Sequence, residues 1–252
     1  HPRNVGVPRG FNAGLARSIR EGADYVFMAN NDTVVEKDCI ARLLAAGESD
    51  LSAGILVPTI CYYADRHAVW SAGARFRRFP PAIVMRKTRG PAAASCGKPE
   101  YLEFTTLCTA LVRARALKDV GLMDPTYLYY YEDYDVALRV REGGYSIRMV
   151  PEARSAHKVE RVTRDAPSTP SFWRTYGRGE AIFQRRHRRH RWMTGPVHTM
   201  YLLLRCLYEG GMTGFTNFYR GLQEGLRVEL KKIPAWDDAS GDDMEIVRAP
   251  LV

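Results

Sequence analysis

Apolar and polar positions along the chain change period several times, and each change marks an expected element. Leu15, Ala16 and Ile19 share a helical face, with Asn12 placed to cap that helix and Gly22 to end it. Asp24 to Ala29 carries the run Tyr-Val-Phe-Met, which suits a buried parallel strand. The polar turn Asn30-Asn31-Asp32-Thr33 follows. A helix is expected over Asp38 to Ala46 with Ile40, Leu43 and Leu44 inward, then a strand from Ala53 to Val57 closed by Pro58. Residues 59–100 are rich in Gly, Pro and Arg and predict short strands and a flexible excursion. Leu102 to Val112 reads as one long strand or a pair, and Ala114 to Val120 as a short helix. A further helix is expected from Glu132 to the Gly143-Gly144 pair, and a strand from Tyr145 to Val150 stopped by Pro151. Beyond residue 170 the period is helical, over Phe172 to His187, Val197 to Tyr208 and Phe215 to Leu230. The alternation in the first part predicts an α/β sheet with crossovers.

Composition adds little until its distribution is considered. The 252 residues carry 37 Lys and Arg against 28 Asp and Glu, a net charge of +9. Residues 171–232 alone carry a net +8, which predicts an anionic partner there, whereas 233–252 is acidic and reads as a solvated tail. A soft domain boundary falls near 168, in Ala166-Pro167-Ser168-Thr169-Pro170. No apolar run reaches the roughly 18–20 residues of a membrane span. Five scattered cysteines (Cys39, Cys61, Cys96, Cys108, Cys206) fit reduced thiols of a cytosolic protein better than a disulfide framework or a zinc site.

Three segments carry candidate chemistry. Asp32, just past a strand, sits where open α/β sheets collect ligands, and with Asn30 and Asn31 offers oxygen to a hard divalent cation. The competing reading is that Asp32 or Thr33 caps the next helix. Glu132, Asp133 and Asp135 crowd three carboxylates into four positions beside Tyr129-Tyr130-Tyr131. Burial would raise their pKa and make a general base, although acids in a first helical turn also complement the helix dipole. His157, just beyond a strand, reads more readily as a packed or hydrogen-bonded side chain than as a ligand. The stretch Arg185-Arg186-His187-Arg188-Arg189-His190-Arg191, with Arg174 and Arg178 before it, suits an anionic membrane surface beside Met200–Tyr208, and reads as readily as a solvated helix face. It has no accompanying nucleic-acid reading element, so nucleic acid is not the favoured partner.

Read in order, these segments resemble the family 2 inverting glycosyltransferases, especially the rhamnosyltransferase-like branch that builds surface polysaccharides. The matching stretches are N-V-G-V-P-R-G-F-N-A-G-L-A (4–16), A-D-Y-V-F-M-A-N-N-D-T (23–33) and T-A-L-V-R-A-R-A-L-K-D-V-G-L-M-D (109–124). They continue with Y-L-Y-Y-Y-E-D-Y-D-V-A-L-R-V-R-E-G-G-Y (127–145), V-P-E-A-R-S-A-H (150–157) and Y-G-R-G-E-A-I-F-Q-R-R (176–186).

The resemblance implies a GT-A-like, Rossmann-like mixed sheet flanked by helices over residues 1–168, a basic helical extension over 169–232 and the acidic tail over 233–252. It implies transfer of a hexosyl or rhamnosyl group from a nucleotide-sugar donor to a glycan or lipid-linked acceptor, on the inner face of the cell membrane. Asp133 falls on the family's catalytic base, with Glu132 beside it. Asp32 falls on the last acid of the motif that binds Mn²⁺ or Mg²⁺, with Asn30 at the position of the usual first acid. His157 matches a histidine that completes the metal site in some relatives. Gly10, Asn12 and Gly14 match a turn and helix start near the donor nucleotide, and Asn30, Asn31 and Asp135 are assigned to substrate. Family members open with a strand, helix and strand ahead of the motif that starts here at Asn4. About 40–50 residues of ordinary βαβ dimensions are therefore expected to be missing, with part of the nucleoside pocket and possible loss of activity. Two other classes compete: a non-catalytic polyanion-binding module built on residues 174–191, and a nucleotidyltransferase, against which no Gly-rich triphosphate signature is present.

Overall fold

A computed structural model describes residues 6–86, 100–158, 170–190 and 195–237. Helix α1 (Val7–Arg20) opens the described chain and buries Pro8, Leu15, Ala16 and Ile19 at helical spacing. It begins earlier than Asn12 because Gly6 supplies the turn: its φ is +85°, and a Cβ there would lie 3.0 Å from the Leu128 carbonyl oxygen. Pro8 is tolerated in the first turn, where amide donors lack helical partners. Gly10 and Gly14 are therefore inside the helix rather than at a turn, and Asn12 is no cap. Its buried amide instead pins Met123, donating to the carbonyl at 2.8 Å and accepting the amide N–H at 3.0 Å.

The main sheet joins β1 (Tyr25–Ala29), β2 (Thr33–Val35), β3 (Ala53–Tyr62), β4 (Val69–Ser71), β7 (Glu100–Tyr101), β8 (Thr109–Arg113) and β9 (Ser146–His157). Its principal order is β1-β8-β3-β9-β2, and β5 (Ala74–Arg78) and β6 (Pro81–Met85) form a separate hairpin. Only the β3–β9 pair among these ladders is parallel; β1 runs antiparallel to β8, with Tyr25 opposite Arg113 and Ala29 opposite Thr109. The parallel expectation for 24–29 fails, and most of β1 is only half-buried. Pro58 and Pro151 do not end their strands. The β3–β9 register shifts after Pro58, and such an irregularity accommodates a residue with no N–H to give.

Helices cover both faces of the sheet. Strand β3 alternates: Ile55 and Val57 face α1, α3 (Ala114–Val120) and α4 (Glu132–Glu142), while Leu56 faces α2 (Cys39–Ser49). In α2 the inward positions are Cys39, Leu43 and Ala46, and the expected Ile40 and Leu44 lie outside.

The C-terminal part contains α5 (Pro170–Arg186), a short 3₁₀ turn (Arg188–His190) and α6 (Pro196–Arg227), which breaks at Gly211 (φ 58°, ψ −159°). The two expected helices 197–208 and 215–230 correspond to the halves around that break. Helices α5 and α6 approach until a Cβ on Gly221 would lie 1.9 Å from the Arg174 carbonyl oxygen. Helix α5 also feeds Ile182 and Phe183 into the main core. The boundary near 168 lies outside the described residues. The first residues assigned to a solvated tail dock instead: Pro234 accepts a hydrogen bond from the Leu122 N–H at 2.9 Å, and Trp236 packs on the main core. Residues 238–252 lie outside the description.

Candidate active site

At the end of β1 the chain turns through Asn30, Asn31 and Asp32. Thr33 closes the turn, its hydroxyl donating to the Asn30 carbonyl at 2.7 Å. Because β2 follows, and α2 starts only at Cys39, neither Asp32 nor Thr33 caps that helix. The antiparallel pairing of β2 with the end of β9 sets Thr33 opposite His157. The His157 ring nitrogen Nε2 lies 3.0 Å from Asp32 Oδ1, across 125 positions of sequence. His157 is the last residue of β9 rather than a residue beyond a strand, and its ring packs against Trp70 with centroids 4.5 Å apart. Its Nδ1 is buried without a partner. Asp32 remains half-exposed.

The second acidic segment is built on strain. Tyr130 and Tyr131 both have positive φ, 65° and 71°, which is rare for aromatic residues and costs on the order of 1–3 kcal/mol each. Tyr131 is buried among Tyr134, Tyr176 and Phe183, and the hydroxyl of Tyr176 and the carboxylate of Glu180 meet its own hydroxyl. On α5 only a glycine fits at 179, since a Cβ there would be 2.7 Å from the Tyr130 carbonyl oxygen. This grip fixes the left-handed pair and so the direction in which α4 sets out.

Helix α4 then points its acids two ways. Glu132 is buried with Oε2 unpartnered, and half-buried Asp133 accepts a hydrogen bond from the Leu107 N–H. Burial pushes both carboxyls up from the ordinary range, Glu132 further because the charge of Asp133 adds to it. Asp135 lies on another side, fully buried. Arg139 reaches Oδ2 at 2.8 Å and His187 Nε2 reaches Oδ1 at 2.8 Å. Burial alone would raise the Asp135 pKa, but Arg139 and His187 outweigh it and hold it down. Asp135 is thus a paired structural carboxylate.

One short segment ties the two acidic turns together. Cys108, just before β8, accepts the Asn30 N–H at its carbonyl (2.9 Å), while its neighbour Leu107 donates to Asp133. The charges of Asp133 and Asp32 both reach the buried Cys108 thiol, whose pKa burial first and these carboxylates next push up to about 12. The structure therefore gathers Asn30, Asn31, Asp32, His157, Glu132 and Asp133 around Leu107–Cys108. It leaves Gly10, Asn12, Gly14 and Asp135 in helix interiors or buried pairs. Leu107, Cys108, Trp70 and Glu180 were missed in the sequence; only Glu180, a lone acid in an arginine-rich helix, carried a usable signal.

Asp32 and His157 supply an oxygen and a nitrogen donor to a cation. Among the described residues no group of three His, Cys, Asp or Glu converges on one point. A pair of this kind fits an ion whose remaining ligands are water and substrate phosphate, as Mg²⁺ commonly accepts. Half of the described arginines in the arginine-rich segment are engaged internally. Arg174 pairs with Glu224, Arg186 holds buried Asp124 at 2.6 Å, and Arg185 donates to the Gly225 and Val228 carbonyls. No described helix is long and apolar enough to cross a membrane. Cys39, Cys61, Cys108 and Cys206 are free and buried, and Cys96 lies outside the described residues.

A central mixed sheet under helices, with a helical region after it, is the GT-A architecture of nucleotide-sugar glycosyltransferases. A crystal structure of GalNAc-T7 with UDP, GalNAc and Mn²⁺ matches it with a TM-score of 0.50 at 15% identity, covering 90% of this chain and 46% of that one. The chain belongs to glycosyl transferase family group 2, whose family model matches residues 25–222. No curated protein matches the chain. The chain thus spans about half the length of the solved structure it resembles.

Proposed function

We propose that the protein transfers a hexosyl or rhamnosyl group from a nucleotide-sugar donor to a hydroxyl of a glycan or lipid-linked acceptor, with inversion at the anomeric carbon. The observation that carries this reading is the Leu107–Cys108 bridge, which sets an Asp32–His157 pair and a raised, half-buried Asp133 carboxylate around one segment.

In this mechanism Asp133 accepts the proton of the acceptor hydroxyl. The freed oxygen forms its bond to the anomeric carbon as the bond to the diphosphate oxygen breaks on the opposite face. A carboxyl with a raised pKa is a stronger base than an ordinary one, and a positioned base contributes about 10²–10⁴-fold. Glu132 stays close to neutral and limits the negative charge beside Asp133. Asp32 and His157 would hold a divalent ion, Mn²⁺ or Mg²⁺, which when bound supplies positive charge to the leaving diphosphate. The Mn²⁺ and UDP of the GalNAc-T7 crystal are in keeping with that choice. Asn30 and Asn31 line the turn on which the donor would sit. Val197, Met200, Leu204 and Tyr208, a largely exposed helical stripe of α6, support a lipid-linked acceptor and a position at a membrane face in surface polysaccharide synthesis.

The test is turnover of a panel of nucleotide sugars by the purified protein with Mn²⁺ or Mg²⁺. Asp133→Asn should bind donor as the wild type does and lose at least about a hundredfold in kcat. Wild-type turnover by that variant would remove the base assignment. Unchanged metal dependence in Asp32→Asn would remove the metal pair.

A further inference from the structure

The arginines of the C-terminal helices divide into two sets. Arg174, Arg185 and Arg186 are occupied by Glu224, by backbone carbonyls and by Asp124. Arg178, Arg220 and Arg227 have no hydrogen-bond or ion-pair acceptor among the described residues, and all three line one open hollow of about 500 Å³ between α5 and α6. Gln223, Glu224 and Val228 complete the lining.

The placement is dictated by helix geometry. Arg220 and Arg227 are seven apart on α6, so they stand on one face, with Gln223 between them. Gly221 and Gly225 let α5 come close enough to put Arg178 beside that face. Arg178 is half-buried, and burial lowers its pKa from the usual guanidinium value, against the pull of Glu224 and Asp124. Both carboxylates are already engaged by Arg174 and Arg186, so the hollow keeps a net positive charge around a desolvated guanidinium. Such a group is costly to leave unmet, and planar guanidinium forks match the oxygens of a phosphate.

We propose that the hollow lined by Arg178, Arg220, Gln223 and Arg227 is a binding site for a phosphoryl anion, taken either from a free phosphate compound or from a lipid headgroup. The exposed Tyr219 and Leu226, also one heptad apart on α6, give a headgroup an adjoining apolar surface. The site uses none of the residues assigned to glycosyl transfer, so it stands or falls independently of that reaction.

Two probes separate the sources. Inorganic pyrophosphate is titrated into the full chain by calorimetry, and sedimentation is measured with phosphatidylcholine vesicles with and without phosphatidic acid. Binding in either arm that weakens about tenfold in Arg178→Gln and in the double variant Arg220→Gln/Arg227→Gln supports the site. Loss in the pyrophosphate arm assigns a free phosphate, and loss in the phosphatidic acid arm alone assigns a headgroup. Arg188→Gln/Arg189→Gln, which alters exposed arginines outside the hollow, should change binding less than twofold. Should Arg178→Gln misfold, the exposed double variant decides alone. Absence of binding in both arms, equal binding by wild type and the double variant, or an equal loss in the Arg188/Arg189 control would overturn the proposal. So would a requirement for RNA in place of either phosphate probe.

Discussion

Two sides of one helical turn treat the same chemical group in opposite ways. On one side of α4, Asp135 is fully buried and answered twice, by Arg139 and by His187. On the other, Glu132 has an unpartnered oxygen and Asp133 has a single backbone donor from Leu107. The first arrangement pulls a pKa down and stabilises the fold; the second pushes pKa values up and leaves a carboxylate ready to take a proton. Burial is common to both sides, and the presence or absence of a cation separates scaffold from chemistry.

The comparison is tested most severely at Asp133. Asp133→Asn should cut kcat by about 10²–10⁴-fold while Tm holds or rises, because the substitution removes a desolvated charge. Equal losses of activity and stability would erase the distinction between the two sides. Asp135→Ala should act in the reverse sense: it strands Arg139 and His187 and costs roughly 3–5 kcal/mol, a Tm drop on the order of 10 °C by calorimetry. Activity per folded molecule at low temperature should survive far better than in Asp133→Asn. The pH profile sharpens the contrast further. Asp133 must be ionised to act, so kcat/KM should fall about tenfold per unit as pH drops below its raised pKa of about 6.

The smallest effect is expected at Glu132. A carboxyl whose pKa is raised on folding contributes most stability below its unfolded pKa, and that contribution is lost as pH rises through the folded value of about 8. Glu132→Gln removes this penalty. Chemical denaturation should show the variant gaining stability over the wild type near pH 8, a gain that vanishes near pH 4.

Helix periodicity carried well from the sequence where one face meets the core, as in α3, α4 and α5. It misled in α2, where Ile40 and Leu44 are apolar but lie outside the contact with β3 and β9. Prolines misled more. Pro58 and Pro151 look like strand stops, yet a register shift in the ladder absorbs a missing donor, which no local pattern shows. Strand β2 was invisible because three residues within a polar turn gain their pairing only from the distant end of β9. For the same reason the acids were visible but their surroundings were not. Asp32 and Asp133 stand out as letters, whereas the Leu107–Cys108 backbone that relates them has no side-chain signature. Asp135, adjacent in pattern to the other acids, is set apart by His187 fifty-two positions later.

The segment from Leu122 to Asp135 is fastened by parts of the chain that are made at very different times. Val7 donates to the Leu128 carbonyl, Asn12 holds Met123, Arg186 and His187 hold Asp124 and Asp135, and Pro234 accepts from Leu122. During synthesis the acidic turn therefore leaves the ribosome well before its last fasteners do, and it cannot take its final shape until residue 234 has emerged. From residue 135 to residue 234 a growing chain carries these carboxylates without the complete frame that would put them to use.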